Sequence, residues 1–123
     1  MRALVLDDSK TMRTIISKVL NEVGIEVLQA SNGREALDRL RQNEGIELAL
    51  VDWNMPEMNG IDFIQAVRAE KNWDRIRLMM VTAETELDQV DKAMEMGANE
   101  YVMKPFTKEA LLEKLQSLRA PIR

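Results

Sequence analysis

The sequence predicts an α/β fold: a doubly wound, five-stranded parallel sheet with five helices. Two observations predict it. Five short apolar runs alternate strictly with stretches of helical apolar period, a pattern that makes a parallel sheet with right-handed crossovers and helices on both faces. Polar residues also collect where the apolar runs end, at Asp7-Asp8, Asp52, Thr82-Ala83 and Lys104-Pro105, with Met55-Pro56 and Gly60 between them. An open parallel sheet carries its chemistry at those strand ends.

Residues 2–6 read as a buried strand. Residues 10–23 place Met12, Ile15, Ile16, Val19, Leu20 and Val23 on one apolar helix face, and Gly24 ends that helix. Residues 26–30 form the second strand. Ser31-Asn32-Gly33 makes a turn, and the next helix turns Ala36, Leu37 and Leu40 inward until Glu44-Gly45 breaks it. Residues 47–51 form the third strand, with Asp52 at its end. Asn59, with Asp62 three residues on, caps a helix over 60–70. Residues 77–82 form the fourth strand. Thr85 with Asp88 starts a helix over 86–96 that Gly97 closes. Residues 100–103 form the fifth strand. Thr107 caps a last helix with Leu111, Leu112, Leu115 and Leu118 in a stripe, and Pro121 stops it.

The chain has 123 residues, which suits a single domain over 1–123 with one core. Only 4% of residues are aromatic, so aliphatic side chains and nine Met do most of the packing. The net charge is −4 with no Lys/Arg run, which argues against nucleic acid as a partner. Cysteine and histidine are both absent. That excludes disulfides, thiolate metal sites and Ser-His or Cys-His catalysis, and any histidine in the chemistry comes from a partner. The N-terminal apolar run is too short for a signal peptide. No stretch approaches the ~18–20 apolar residues that span a bilayer. The expected location is therefore the cytoplasm, away from membranes.

Taken singly, each strand-end residue has an ordinary reading. Asp7-Asp8 is a solvated acid pair near a helix N-terminus, where the dipole favours negative charge. Lys104 is a surface lysine, Thr82 a β-branched strand residue and Pro105 a trans proline ending a strand. Together they suggest more. Three carboxylates at one edge repel by about 4 kcal/mol per pair at 4 Å and an effective dielectric near 20. A hard divalent cation removes that cost, and oxygen donors alone favour Mg²⁺, with Mn²⁺ as an alternative. Asp52 then suits a carboxylate nucleophile for phosphoryl transfer, with the Lys104 ammonium and the Thr82 hydroxyl where charge accumulates. A cis bond before Pro105 would turn the chain and aim Lys104 at the edge.

This ordered set resembles the receiver domain of two-component response regulators over about residues 2–118. Ser9-Lys10-Thr11-Met12-Arg13, Trp53-Asn54, Glu84 and Tyr101 make it most similar to the single-domain chemotaxis type. The resemblance implies a flavodoxin-like strand order, 2-1-3-4-5. It implies that Asp52 is the phosphoacceptor, and that Asp7, Asp8, Asp52 and the Asn54 carbonyl hold Mg²⁺. Lys104 and Thr82 contact the phosphoryl oxygens, Thr82 and Tyr101 form the conformational switch, and Asn54 and Glu84 tune hydrolysis. A histidine kinase is the implied phosphodonor. The implied target is a downstream protein, such as the flagellar motor switch, on the 86–119 face, with a phosphatase as a further partner. The protein is then a signalling phosphoacceptor with slow autophosphatase activity and not an enzyme in the usual sense.

Other readings remain. A receiver serving sporulation, the cell cycle or a phosphorelay, or one cut from a larger regulator, has the same fold and site. An aspartyl-phosphate phosphatase of the haloacid-dehalogenase type requires Asp-x-Asp, and Asn54 in Asp52-Trp53-Asn54 cannot donate the proton. In an FMN carrier, Asp7-Asp8 would repel the phosphate.

Overall fold

β1 (Arg2–Leu6) is apolar from Ala3 on because both of its faces are covered there. Ala3 and Val5 point to one side, Leu4 and Leu6 to the other, and all four are buried. In the computed structural model, which describes residues 1–53, 58–83 and 88–119, the same alternation runs through β3 (Ile46–Asp52) and β4 (Arg77–Ala83). β2 (Glu26–Ala30) and β5 (Glu100–Lys104) are the edges. The sheet is parallel throughout, in the order β2-β1-β3-β4-β5. Strand order and direction are therefore as expected.

Four α-helices connect the strands, α1 (Lys10–Glu22), α2 (Gly33–Gln42), α3 (Gly60–Ala69) and α4 (Val90–Glu95), and α5 (Lys108–Arg119) follows β5. One face of the sheet packs Leu4, Leu6, Val51, Leu78 and Met80 against Leu37, Phe63, Ile64 and Ala93 of α2, α3 and α4. The other packs Val5, Leu50, Met79 and Val81 against Ile16, Leu20, Leu111 and Leu115 of α1 and α5. Caps set several helix starts. The side chains of Ser9, Asn32, Asn59 and Thr107 accept the amides of Met12, Glu35, Asp62 and Ala110 at 2.8–3.2 Å. No helix among the described residues is long and apolar enough to cross a membrane.

Three details depart from the expectations. Ile15 and Val23 do not join the buried face of α1; they are 47% and 41% exposed. Ile16, Val19 and Leu20 fill the space above the sheet, and the apolar arc that fits there is narrower than the sequence stripe. The helix expected over 86–96 is α-helical only at Val90–Glu95, with residues 88–89 in a 3₁₀ turn and no side-chain cap from Gln89. The proposed Thr85 cap and the Pro121 stop lie outside the described residues. A 3₁₀ turn at Lys71–Trp73, not foreseen, leads into β4.

Arg68, in the last turn of α3, ties these connections together. Its guanidinium donates to the carbonyls of Gly97 (3.0 Å), Trp73 (3.2 Å) and Ile76 (2.8 Å) and to Asn99 Oδ1 (2.9 Å). Asn99 Oδ1 also accepts the Leu78 amide at 2.8 Å. Gly97 has φ +120°, and a Cβ there would lie 2.7 Å from Arg68 Cγ, so both its backbone conformation and its lack of a side chain serve this junction. Arg68→Met should destabilise the protein by about 2–4 kcal/mol, because several part-buried acceptors lose a charged donor at once. Urea unfolding should show this as a lower midpoint at unchanged slope, with Arg68→Lys recovering part of the loss.

Candidate functional site

The site lies where β1, β3, β4 and β5 end. Asp7 directly follows β1 and is 1% exposed. Its amide donates to the Ala30 carbonyl at the end of β2 (3.2 Å). Its Oδ1 accepts the Ser9 amide at 2.8 Å, which folds the chain into α1. Asp8 is exposed. Asp52 closes β3 and is 5% exposed. The Trp53 amide donates to the Val81 carbonyl (3.1 Å), which holds the exit of β3 beside β4. The Gly60 amide donates back to the Trp53 carbonyl at 3.1 Å. A Cβ on Gly60 would meet Met80 Cε at 2.6 Å, so glycine lets α3 start close against the strand end.

Asp7, Asp8 and Asp52 each offer a carboxylate oxygen, all within 4.8 Å of one another. Lys104, the last residue of β5, reaches into this group. Its Nζ is 3.1 Å from Asp52 Oδ1 and 3.4 Å from Asp7 Oδ2. Burial alone would lower the Lys104 pKa, but attraction to Asp52 and Asp7 outweighs it and raises the pKa. The ammonium therefore stays charged at neutral pH. Lys104–Pro105 is a cis peptide bond. Among the described residues, three carboxylates face one ammonium, which leaves the cluster with excess negative charge. At 4.8 Å and an effective dielectric near 20, a carboxylate pair repels by roughly 3–4 kcal/mol. A hard donor set with unneutralised charge fits a divalent cation such as Mg²⁺.

Thr82 is 1% exposed in β4. Tyr101 in β5 is half-buried and packs against the same core face that carries α4. The pairings Met80–Tyr101 and Thr82–Met103 put Thr82 and Tyr101 on one face of the sheet, one step apart along neighbouring strands. Lys114 of α5 sits 4.9 Å from the centre of the Tyr101 ring and donates to Glu100 Oε1 at 3.3 Å. Asn54 and Glu84, the residues assigned to rate tuning, and the Asn54 carbonyl assigned to the cation lie outside the described residues. So does Met55-Pro56.

Sequence reasoning quoted Arg13 without giving it a role. Its Nη1 donates to the Asp7 carbonyl at 2.6 Å and its Nε to Gln29 Oε1 at 3.3 Å. A basic residue in the second turn of a helix is too common to have flagged that contact.

A response regulator receiver domain model matches residues 3–116. Over 119 residues the chain is 45% identical to a chemotaxis protein CheY homolog of Campylobacter jejuni, covering 96% of this chain and 92% of that one. It is 44% identical to chemotaxis protein CheY1 of Helicobacter pylori over 117 residues, 94% of each chain. The structure of Vibrio cholerae chemotaxis protein CheY4 superposes with a TM-score of 0.88 at 34% identity, covering 95% of this chain and 97% of that one.

The charge imbalance predicts a sign reversal in Asp8→Asn. Without metal the variant should be more stable than the parent by about 1 kcal/mol, since one carboxylate no longer repels two others and its exposure to solvent screens most of the pairwise repulsion. It should lose most of the stabilisation that millimolar Mg²⁺ gives the parent. Thermal unfolding with Mg²⁺ and with chelator checks both halves.

Proposed function

The chain belongs to the response regulator receiver domain family, and on that premise we propose that it accepts a phosphoryl group on Asp52 from the phosphohistidine of a partner kinase. The observation that carries this reading is the edge cluster itself. Asp52 is nearly buried, Lys104 Nζ lies 3.1 Å from its oxygen, and two further carboxylates stand within 4.8 Å. The 123 residues contain no histidine, so a phosphohistidine donor is another protein's.

In the transfer step an Asp52 oxygen attacks phosphorus. The O–P bond forms as the N–P bond breaks, and the imidazole leaves with the electron pair and takes up a proton. Asp7, Asp8 and Asp52, with the Asn54 carbonyl, would hold Mg²⁺ or Mn²⁺, which supplies charge neutralisation at the phosphoryl oxygens. Lys104 adds a second positive charge on the same side, and Thr82 offers a hydroxyl donor. Water later attacks phosphorus and returns the carboxylate and inorganic phosphate, a slow self-limiting hydrolysis that Asn54 and Glu84 tune.

The phosphoryl group adds about 1.5–2 negative charges and new acceptors. Thr82 turns toward them, and Tyr101, on the same sheet face, follows inward. The 86–119 face then binds its target. Met94 and Met103 are exposed on it, and adaptable apolar side chains of this kind suit a protein surface. The named relatives are chemotaxis proteins, which favours a chemotaxis role for this chain, with a flagellar motor switch protein as target and a phosphatase as a further partner.

Intact mass after incubation with a small acyl phosphate tests the chemistry. The protein should gain one phosphoryl group, and the gain should require both Mg²⁺ and Asp52; full labelling of Asp52→Asn would exclude Asp52 as nucleophile. Lys104→Ala should bind Mg²⁺ at least as tightly as the parent, since a competing cation is removed, yet uncouple phosphorylation from the change at Tyr101. The Tyr101 ring resonances should then stay at their unphosphorylated positions, and a normal phosphorylation-dependent shift would remove Lys104 from the switch.

A further inference from the structure

Asp7 and Asp8 reach the edge cluster by different means. The Asp7 carboxylate is fixed by the Ser9 amide and Lys104. The Asp8 carboxylate is exposed and has no hydrogen bond to a described residue. Its direction depends on the peptide unit that joins it to Asp7, and the carbonyl of that unit accepts Arg13 Nη1 at 2.6 Å. The other end of the Asp7 backbone is held by the Ala30 carbonyl, and Arg13 is steadied in turn by Gln29 Oε1 at 3.3 Å.

We propose that Arg13 is a positioning residue for the cation site: by clamping the Asp7 carbonyl it orients the Asp7–Asp8 peptide and so aims Asp8 into the cluster. This rests on reading the cluster as a divalent-cation site, as above. The clamp also makes a prediction that charge alone contradicts. Arg13 is a cation close to the site, so electrostatics by itself has its removal tighten Mg²⁺ binding. Loss of positioning weakens it. Groups that orient metal ligands from behind typically change affinity 10–100-fold when removed.

The experiment is a Mg²⁺ titration followed through amide ¹⁵N–¹H shifts in the full chain, its Arg13→Met and Arg13→Lys variants, and Asp52→Asn as a control. Arg13→Met should bind Mg²⁺ about tenfold more weakly. In the metal-free state the Asp8 and Ser9 amides should shift and exchange faster, while amides of β3 and β4 stay in place. Arg13→Lys, which keeps the charge and one donor, should fall between the two. It also serves alone if Arg13→Met does not fold, since equal charge with poorer reach must still weaken binding. Unchanged or tighter Mg²⁺ binding in Arg13→Met, or unchanged binding in Arg13→Lys, overturns the inference while leaving the cation site standing. Absence of Mg²⁺ binding in the parent overturns the cation reading and this inference with it.

Discussion

Two carboxylates are held nearly out of water at one sheet edge against a single ammonium, and much of the structure serves to keep them there. A buried charge without partners is expensive. Asp7 meets that cost with the Ser9 amide and Lys104 at its carboxylate, and Ala30 and Arg13 at its backbone. Asp52 has Lys104 at 3.1 Å. One lysine cannot balance three acids, so the edge remains electrostatically frustrated. Under the proposed function, a divalent cation relieves that repulsion in an arrangement the fold has already built.

The two-sided sheet gives that frustration a direction. Residues facing α1 and α5 form one packed layer, and residues facing α2, α3 and α4 form the other. Thr82 belongs to the second layer, with Met80 and Tyr101. Under the proposed function, movement of its hydroxyl is felt on the α4 side, where Tyr101 is half-buried. The far end of α4 is tied down through Arg68, Gly97 and Asn99. The near end has no side-chain cap at Gln89. Under the proposed function, anchoring at that far end suits a short helix whose position a partner reads.

Much of this was legible in the sequence, for identifiable reasons. Strands β1, β3 and β4 are buried on both faces over residues 3–6, 48–51 and 78–81, which therefore read as unbroken apolar runs. The caps at Asn59 and Thr107 are side-chain contacts three residues long, within reach of a sequence pattern. Strand-end acids at Asp7, Asp8 and Asp52 become neighbours once parallel order is granted. Ile15 and Val23 were misplaced because helical period says which residues share a stripe, not how wide an arc the sheet will cover. The 3₁₀ turn at Lys71–Trp73 and the late start of α4 are local backbone choices with no strong cap or periodicity behind them.

The sequence by itself determined the alternation of elements, the parallel sheet and the set of polar residues at its carboxyl edge, because each depends on short-range pattern and on a topology that leaves few options. The tertiary structure alone decided which atoms meet there. Lys104 bridges Asp52 and Asp7 across 52 and 97 residues, Arg13 turns back onto the Asp7 carbonyl, and Arg68 gathers carbonyls from two separate loops. These contacts join charged or polar groups whose composition and spacing are unremarkable along the chain. Their partners are set only when packing fixes how far each helix sits from the strand end beside it.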